Sequence, residues 1–387
     1  MNNLTGNKND GPPPEPRSPS EPGSRLELIG RLRTCLIDLL PDAETLWNQS
    51  NDETIAFRGH LATDSNQAFP ILRERFAELG YTPLLRRQKD FDLVVALRHV
   101  FKPRQTHWSV NLILFLLTLC TTTLMGALME QGERLLQNQR LFFEQPWLIL
   151  TGIPASLTIM GILGVHELAH YFVARKHGLD SSLPFFIPVP FGFGTFGAII
   201  RIRMPWENCQ ALFDVGVAGP IAGFMVALPI FFIGLLTSPA TPPQPGGMPL
   251  GSPFLLQWLE QWVYLIRGIP QDYDIYVNAM TFAAWFGLVV TGFNLLPIGQ
   301  LDGGHVIYAV LGRWAQVVGI AALVGLFALG TFVWSGWYMW AAFIMFSGWR
   351  HPPPLNTVAP LGKTRTILGI LVLVLTILLF TPAPFPV

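Results

Sequence analysis

One stretch constrains this chain more than any other. From Trp147 to Val165 it is almost unbroken apolar sequence, and it runs straight into His166-Glu167-Leu168-Ala169-His170. A membrane-crossing helix needs about 20 mostly apolar residues, and this segment qualifies. Each ionisable group at mid-membrane costs roughly 2.5–3.5 kcal/mol on insertion scales, so two imidazoles and a carboxylate placed there point to function. The spacing also dictates geometry. Histidines four apart share one helix face and can grip one ion, and the glutamate between them reaches the ion's open position. Chance produces this pattern in amphipathic helices, but not readily in an apolar span. The expectation is metal-assisted hydrolysis at membrane depth, with His166 and His170 as ligands of a zinc ion. Glu167 is the expected acceptor of the proton of a water whose pKa the metal lowers to about 7.

Composition agrees with a membrane setting. Half of the residues are hydrophobic and 13% are charged, against about 25% charged in a soluble domain. The 25 basic and 25 acidic residues balance, which argues against nucleic acid as a partner. Cys35, Cys120 and Cys209 lack metal-ligand or disulfide spacing and read as small apolar filler.

Residues 1–23 are rich in Pro, Ser, Gly, Asn and Glu and read as a disordered tail. They have no apolar run of the kind a signal peptide carries. Residues 24–104 read as a small soluble α/β module. Leu26, Ile29, Leu32, Leu36 and Leu39 recur at helical spacing and predict a helix ending near Pro41. Thr54 to Leu61 reads as a strand, and Asn66 to Leu79 as a helix stopped by Gly80. Tyr81–Arg87 and Phe91–Leu97 read as a hairpin. Residues 105–387 predict a polytopic α-helical membrane domain of about seven transmembrane helices, near 109–128, 148–174, 212–236, 279–298, 314–332, 333–349 and 365–382. Residues 237–253 read as a loop and 254–267 as an interfacial helix. The loops on the amino-terminal side carry Lys102, Arg104, Arg175, Lys176, Arg201, Arg203, Arg313, Arg350, Lys363 and Arg365, against Arg134, Arg140 and Arg267 on the other. By the positive-inside rule the N-terminus is cytoplasmic, and His166 and His170 lie near the cytoplasmic end of the second span.

A catalytic zinc site takes a third protein ligand. Asp302, in Asn294-Leu295-Leu296-Pro297-Ile298-Gly299-Gln300-Leu301-Asp302-Gly303-Gly304, is the choice, with His305 as its rival. Pro297 ends a helix there, and the double glycine reads as a tight turn that re-aims the carboxylate. Asp214 opens the third span and reads as an N-cap. Asn294, polar within a span, is a candidate to orient a scissile carbonyl or to support the ligands. Gly192-Phe193-Gly194-Thr195-Phe196-Gly197 matches a dinucleotide fingerprint letter for letter, but Pro188 and Pro190 occupy the place of its leading strand, and a strand follows it. A glycine-rich hairpin dipping toward the site fits better, with Gly197 near substrate. Gly219 and Gly223 form a G-x-x-x-G pair that reads as helix packing.

Together these motifs resemble the site-2 proteases, intramembrane zinc metalloproteases. The closer likeness is to their plastid and cyanobacterial branch, the ethylene-dependent gravitropism-deficient and yellow-green-like proteases. The similar segments are Val165–His170, Leu183–Phe186, Thr195–Ala198, Phe213–Pro220 and Asn294–Gly304, and the likeness covers about residues 105–360. In the soluble module Gly59-His60-Leu61-Ala62 stands where that branch has Gly-Asn-Leu-Arg. The resemblance implies zinc ligands His166, His170 and Asp302, catalytic Glu167, and cleavage of a substrate's transmembrane helix. It further implies a multi-pass protein of a bacterial plasma membrane or a thylakoid membrane, whose partners are membrane-protein substrates and the lipid bilayer. The rival class is a non-hydrolytic metal-binding transporter or scaffold. Such a protein has no use for a water-activating Glu167, and many transporter folds carry internal repeats that this sequence lacks.

Overall fold

The computed structural model describes residues 22–47, 50, 53–101, 107–243 and 249–385. The tail expected over residues 1–23 lies outside them but for its last two. The chain forms two compact units that divide between Phe101 and Lys102.

The first unit runs α1 (Pro22–Thr34), β1 (Glu44–Thr45), β2 (Thr54–Gly59), α2 (Ser65–Glu78), β3 (Thr82–Gln88) and β4 (Phe91–Leu97). Its strands form one antiparallel sheet in the order β1-β2-β4-β3, with Phe57 and Leu85 both opposite Val94. The predicted strand, second helix and hairpin are all present within two residues. The first helix is shorter than its periodicity suggested. It stops at Thr34, whose hydroxyl donates to the Gly30 carbonyl, and three-residue turns carry Leu36 and Leu39 onward into the core. Leu26, counted in that periodicity, is exposed. Ile29 and Leu32 are buried, as are Phe69, Leu72 and Phe76 of α2.

Gly59-His60-Leu61-Ala62 turns the chain after β2 and is held from both sides. Asp42 accepts from the His60 amide at 2.7 Å and faces the His60 Nδ1 at 2.5 Å, and the Asp90 carbonyl lies 2.7 Å from Nε2. Asp92 accepts from the Leu61 amide at 3.1 Å and from Arg87 at 2.5 Å. A Cβ on Gly59 would meet the Asp42 carboxylate at 2.6 Å, so the glycine is what lets the aspartate close in. With an acceptor at each ring nitrogen, the charged imidazole is favoured, and the Asp42 carboxylate raises the His60 pKa above its usual value. The sign follows. The imidazole's contribution to stability is complete below about pH 6.5, its ordinary value, and is lost as pH rises through the raised folded value. Amide exchange at residues 59–62 in the whole protein is therefore expected to gain protection on acidification toward pH 6.5, beyond the intrinsic pH dependence of exchange. His60→Asn should remove that extra dependence. An unchanged profile in the variant would show that the ring does not carry it.

The second unit begins with α3 (Trp108–Glu130), the short α4 (Gly132–Gln137) and α5 (Leu141–Glu144), and a 3₁₀ turn over Pro146–Gly152 that leads into α6 (Ile153–Lys176). A hairpin of β5 (Phe185–Pro188) and β6 (Thr195–Ile199) follows, then α7 (Cys209–Thr237). Two-residue strands β7 (Ala240–Thr241) and β8 (Asp274–Ile275) pair around α8 (Phe254–Arg267). The remainder is α9 (Ala279–Asn294), α10 (Asp302–Leu311), α11 (Ala315–Phe332), α12 (Gly336–Gly348) and α13 (Lys363–Leu379).

Four segments are long and apolar enough to cross a membrane: Trp108–Glu130, Pro146–Lys176, Cys209–Thr237 and Asp302–Phe332. The predicted spans at 279–298, 333–349 and 365–382 are helices of 16, 13 and 17 residues. At 1.5 Å per residue these reach about 20–26 Å, short of a hydrocarbon layer of about 30 Å without their flanks. α10 was not expected as a helix. It precedes α11 with a break at Gly312, so the fourth long segment is two helical pieces.

α6, α7 and α9 pack on one another, and α10 lies against α7. Ile162, Phe213, Phe231, Trp285, Leu288 and Val306 are buried among them. The outward faces are apolar as well. Ile113, Val324, Phe346 and Ile377 are exposed, an arrangement suited to hydrocarbon and unfavourable in water. α8 turns Leu256 and Val263 inward and leaves Phe254, Trp258, Trp262 and Leu265 on one exposed stripe, as a helix lying in a membrane interface does.

Candidate metal centre

His166 and His170 stand one turn apart on α6 with edge-on rings, their Nε2 atoms 3.1 Å apart. They can lie this close to α7 because α7 offers them no side chains. A Cβ on Gly219 would fall 2.1 Å from His170 Nε2, and one on Gly223 would fall 3.1 Å from His166 Nδ1. A Cβ on Gly216, one turn earlier, would fall 2.9 Å from the His305 Cβ. The G-x-x-x-G pair thus does more than pack helices, which corrects the plainer expectation: it is the cradle of the two imidazoles. The same stretch of α7 fixes a tautomer. The Val215 carbonyl accepts from His170 Nδ1 at 2.7 Å, which leaves the Nε2 lone pair for a metal.

Asp302 is the first residue of α10, with no side-chain cap before it. A carboxylate in the first turn is favoured by the helix dipole. The double glycine after it is helical and does not make the turn. A Cβ on Gly303 would strike the Leu295 carbonyl at 1.9 Å, and one on Gly304 the Gly299 carbonyl at 2.3 Å, so the pair lets α10 start tight against the preceding loop. The turn itself falls at Gly299, whose φ of +56° suits glycine. The Asp302 carboxylate lies 3.2 Å from His166 Nε2 and 3.3 Å from His170 Nε2.

His166, His170 and Asp302 are therefore one cluster, each offering one atom. Tetrahedral zinc with bonds of about 2.0–2.1 Å sets its ligand atoms about 3.3 Å apart, so donor types and spacing both fit. Charge fits too. His166, Glu167 and His170 are each less than a tenth exposed, and among the described residues no lysine or arginine salt bridge reaches the Glu167 or Asp302 carboxylate. Two carboxylates so deeply set call for a compensating cation, and a divalent ion supplies it.

Glu167 sits between the histidines. Its Oε2 accepts from the Ile200 amide at 2.9 Å, just beyond β6. The β5–β6 hairpin is antiparallel with Phe186 opposite Ala198, and it brings the fingerprint-like glycines to its turn and second strand. Gly194, at φ +81°, packs its Cα face onto α3 and receives the Thr121 hydroxyl on its carbonyl at 2.7 Å. This geometry has no strand–loop–helix dinucleotide site. Gly197 lies within β6.

Other sequence candidates fall elsewhere. Asn294 is the last residue of α9 and is half-buried. His305 is outside the three-residue cluster. Its Nδ1 is 2.7 Å from His351 Nε2, Trp206 meets its ring edge-on and Tyr308 stacks on His351. Asp214 is not an N-cap. Asn208 caps α7, and Asp214, in the second turn, accepts two bonds from Arg365 at 2.7 and 2.8 Å and one from His177 at 3.0 Å. The Ile200 amide, the Val215 carbonyl and Gly216 had no expected role, and Gly219 and Gly223 were expected only to pack helices. Only the glycine spacing of three and four residues offered a signal.

Residues 154–331 match the family model for peptidase family M50. That segment belongs to the family. Among named relatives, it is 34% identical to "Probable zinc metalloprotease EGY2, chloroplastic" of Arabidopsis thaliana over 256 residues, 63% of this chain and 44% of the relative. It is 28% identical to the protein of the same name in Oryza sativa subsp. indica over 391 residues, 94% of this chain and 70% of the relative. It is 27% identical to "Probable zinc metalloprotease EGY1, chloroplastic" of Arabidopsis thaliana, over 93% of this chain and 64% of the relative. The chain thus spans about half to two thirds of these relatives' length. The M50 match contains His166, Glu167, His170, the α7 glycines and Asp302.

Proposed function

We propose that this M50 protein is a zinc-dependent intramembrane endopeptidase that cuts membrane-spanning helices of protein substrates. The observation that carries the reading is the convergence of His166, His170 and Asp302 beside a buried Glu167, all on apolar helices. A zinc ion held by the three residues would polarise the scissile carbonyl and make water acidic enough to attack near neutral pH. Glu167 takes the proton of that water. The Ile200 amide holds Oε2, and Oε1 has no hydrogen bond among the described residues and is free to act. The same carboxyl then gives the proton to the departing nitrogen. His170 keeps its metal-facing lone pair through the Val215 carbonyl.

Peptide bonds inside a helix are already hydrogen-bonded, so the substrate has to unwind before it can be cut. Among the described residues β6 is paired on one side only, by β5. An unwound substrate segment that adds to its other edge lies next to Glu167 and gains backbone partners in place of those it lost. Asn294 and Gly197 are the residues we assign to substrate contact, and His305 to support of the α10 end. A transporter or scaffold holding the same ion gives Glu167 no task.

The finer topology is seven crossings by α3, α6, α7, α9, α11, α12 and α13, with a cytoplasmic N-terminus. Contacts at the helix ends support it. The end of α6 and the starts of α7 and α13 meet through His177, Asp214 and Arg365. At the opposite ends, the loop after α7 meets the one before α9 through β7 and β8, and Trp337 of α12 donates to the Pro382 carbonyl beyond α13. The metal ligands then lie toward the basic, cytoplasmic side.

The test is cleavage of a single-span substrate by the purified protein in bilayers, with the cut mapped by mass spectrometry. The expected cut lies inside the span, nearer its cytoplasmic end, and stops on chelation until zinc is restored. A cut that survives metal removal would defeat the mechanism, and one at the far end of the span would defeat the orientation.

A further inference from the structure

A cavity of about 420 Å³ opens between the last turn of α6, the first half of α7 and the first turns of α13. It is not part of the metal centre. α7 shows Gly216, Gly219 and Gly223 to the histidines, and the cavity lies on other faces of the same helix, where Val217, Ala218, Ile221 and Ala222 line it. Leu368 of α13 closes the apolar floor.

The polar part of its lining is mainly basic: Lys176, His177 and Arg365, with one carboxylate, Asp214. That carboxylate is fully engaged: Oδ1 accepts from Arg365 Nε, and Oδ2 accepts from Arg365 Nη2 and faces His177 Nε2. Lys176 is exposed and has no salt bridge among the described residues. After Asp214 is matched with Arg365, the rim still carries the charge of Lys176 and the remaining donors of the guanidinium.

We propose that this cavity binds an anionic membrane lipid, with its phosphate or other acidic headgroup on Lys176, His177 and Arg365 and an acyl chain along Val217, Ile221 and Leu368. Basic pockets between membrane helices recognise anionic headgroups in this way. A soluble anion satisfies the rim but leaves the apolar floor uncovered. A helix packs along several turns, but the lining takes in only the last turn of α6 and the first turns of α13, which suits a headgroup and an acyl chain better than a partner helix. A lipid fills it and continues into the bilayer.

The test uses the full-length protein, exposed in detergent to equal amounts of phosphatidylglycerol and phosphatidylcholine with the same acyl chains and read by native mass spectrometry. The wild type is expected to retain phosphatidylglycerol preferentially. Lys176→Gln should cut that preference about fivefold, whereas Arg313→Gln, outside the cavity, should leave it unchanged. Ala222→Leu, which fills the floor, should reduce retention of both lipids. Equal retention of the two lipids by the wild type, an unaffected Lys176→Gln, or displacement of the lipid by millimolar inorganic phosphate would overturn the proposal. So would a co-purifying polypeptide that occupies the site and is lost with Ala222→Leu.

Discussion

Glu167→Gln is expected to hold zinc at wild-type stoichiometry and to lose peptide-bond cleavage by about 10²–10⁴-fold or more, the usual contribution of a positioned general base. Glutamine has the same shape and still offers an oxygen to the Ile200 amide, so the α6–β6 contact survives. What disappears is the ability to take a proton. The metal cluster is spared because Glu167 is not among its three donors. Metal content by mass spectrometry and cleavage of a single-span substrate decide the matter together. Turnover by a zinc-loaded variant, with contaminating proteases excluded, would remove Glu167 from the mechanism. Loss of zinc would make it a ligand or a structural support.

Gly219→Ala is expected to be nearly as damaging although the residue has no chemistry of its own. The added methyl would sit 2.1 Å from His170 Nε2, the atom that has to meet the metal. A Cβ has no rotamer by which to escape. The imidazole cannot swing aside without losing its 2.7 Å bond to the Val215 carbonyl. Removing a supporting group around a metal typically costs 10–100-fold in affinity or activity, and a methyl at the ligand atom itself should exceed that. Gly161→Ala is the control. It lies on α6 with nothing within 4 Å of the added methyl, so zinc and activity should persist, with a helix made more stable by about 1 kcal/mol. Zinc bound equally well by the Gly219→Ala and Gly161→Ala variants would mean that α7 does not form the wall described here.

Local relations between residues are legible in the sequence, and contacts between helices are not. His166, Glu167 and His170 are readable because their relation is local: four residues on a helix is a fixed geometry. The β5–β6 hairpin is readable because Pro188 and Pro190 exclude the competing fold. The role of Gly219 is not readable, because G-x-x-x-G reports only that something comes close. That the neighbour is an imidazole depends on which helix packs on α7. Asp214 illustrates the same limit. Its place near a span start suggests a cap, but its partner, Arg365, is 151 residues away. Gly303-Gly304 was read as a turn, since two glycines weaken any helix signal. The structure puts them inside α10, where their lack of side chains lets the helix start against the Leu295 and Gly299 carbonyls. The spans expected at 279–298, 333–349 and 365–382 are longer than the helices α9, α12 and α13 that occupy them, because hydropathy windows do not detect where a helix ends.

X-ray absorption at the zinc edge of the purified protein directly tests whether two imidazoles and one carboxylate hold the metal. The expected spectrum has only nitrogen and oxygen neighbours at about 2.0–2.2 Å, with scattering from two imidazoles. It should be unchanged in His305→Ala, whereas Asp302→Ala should lose the metal. A sulfur neighbour at about 2.3 Å, or a third imidazole that vanishes with His305→Ala while Asp302→Ala keeps its zinc, would contradict the site.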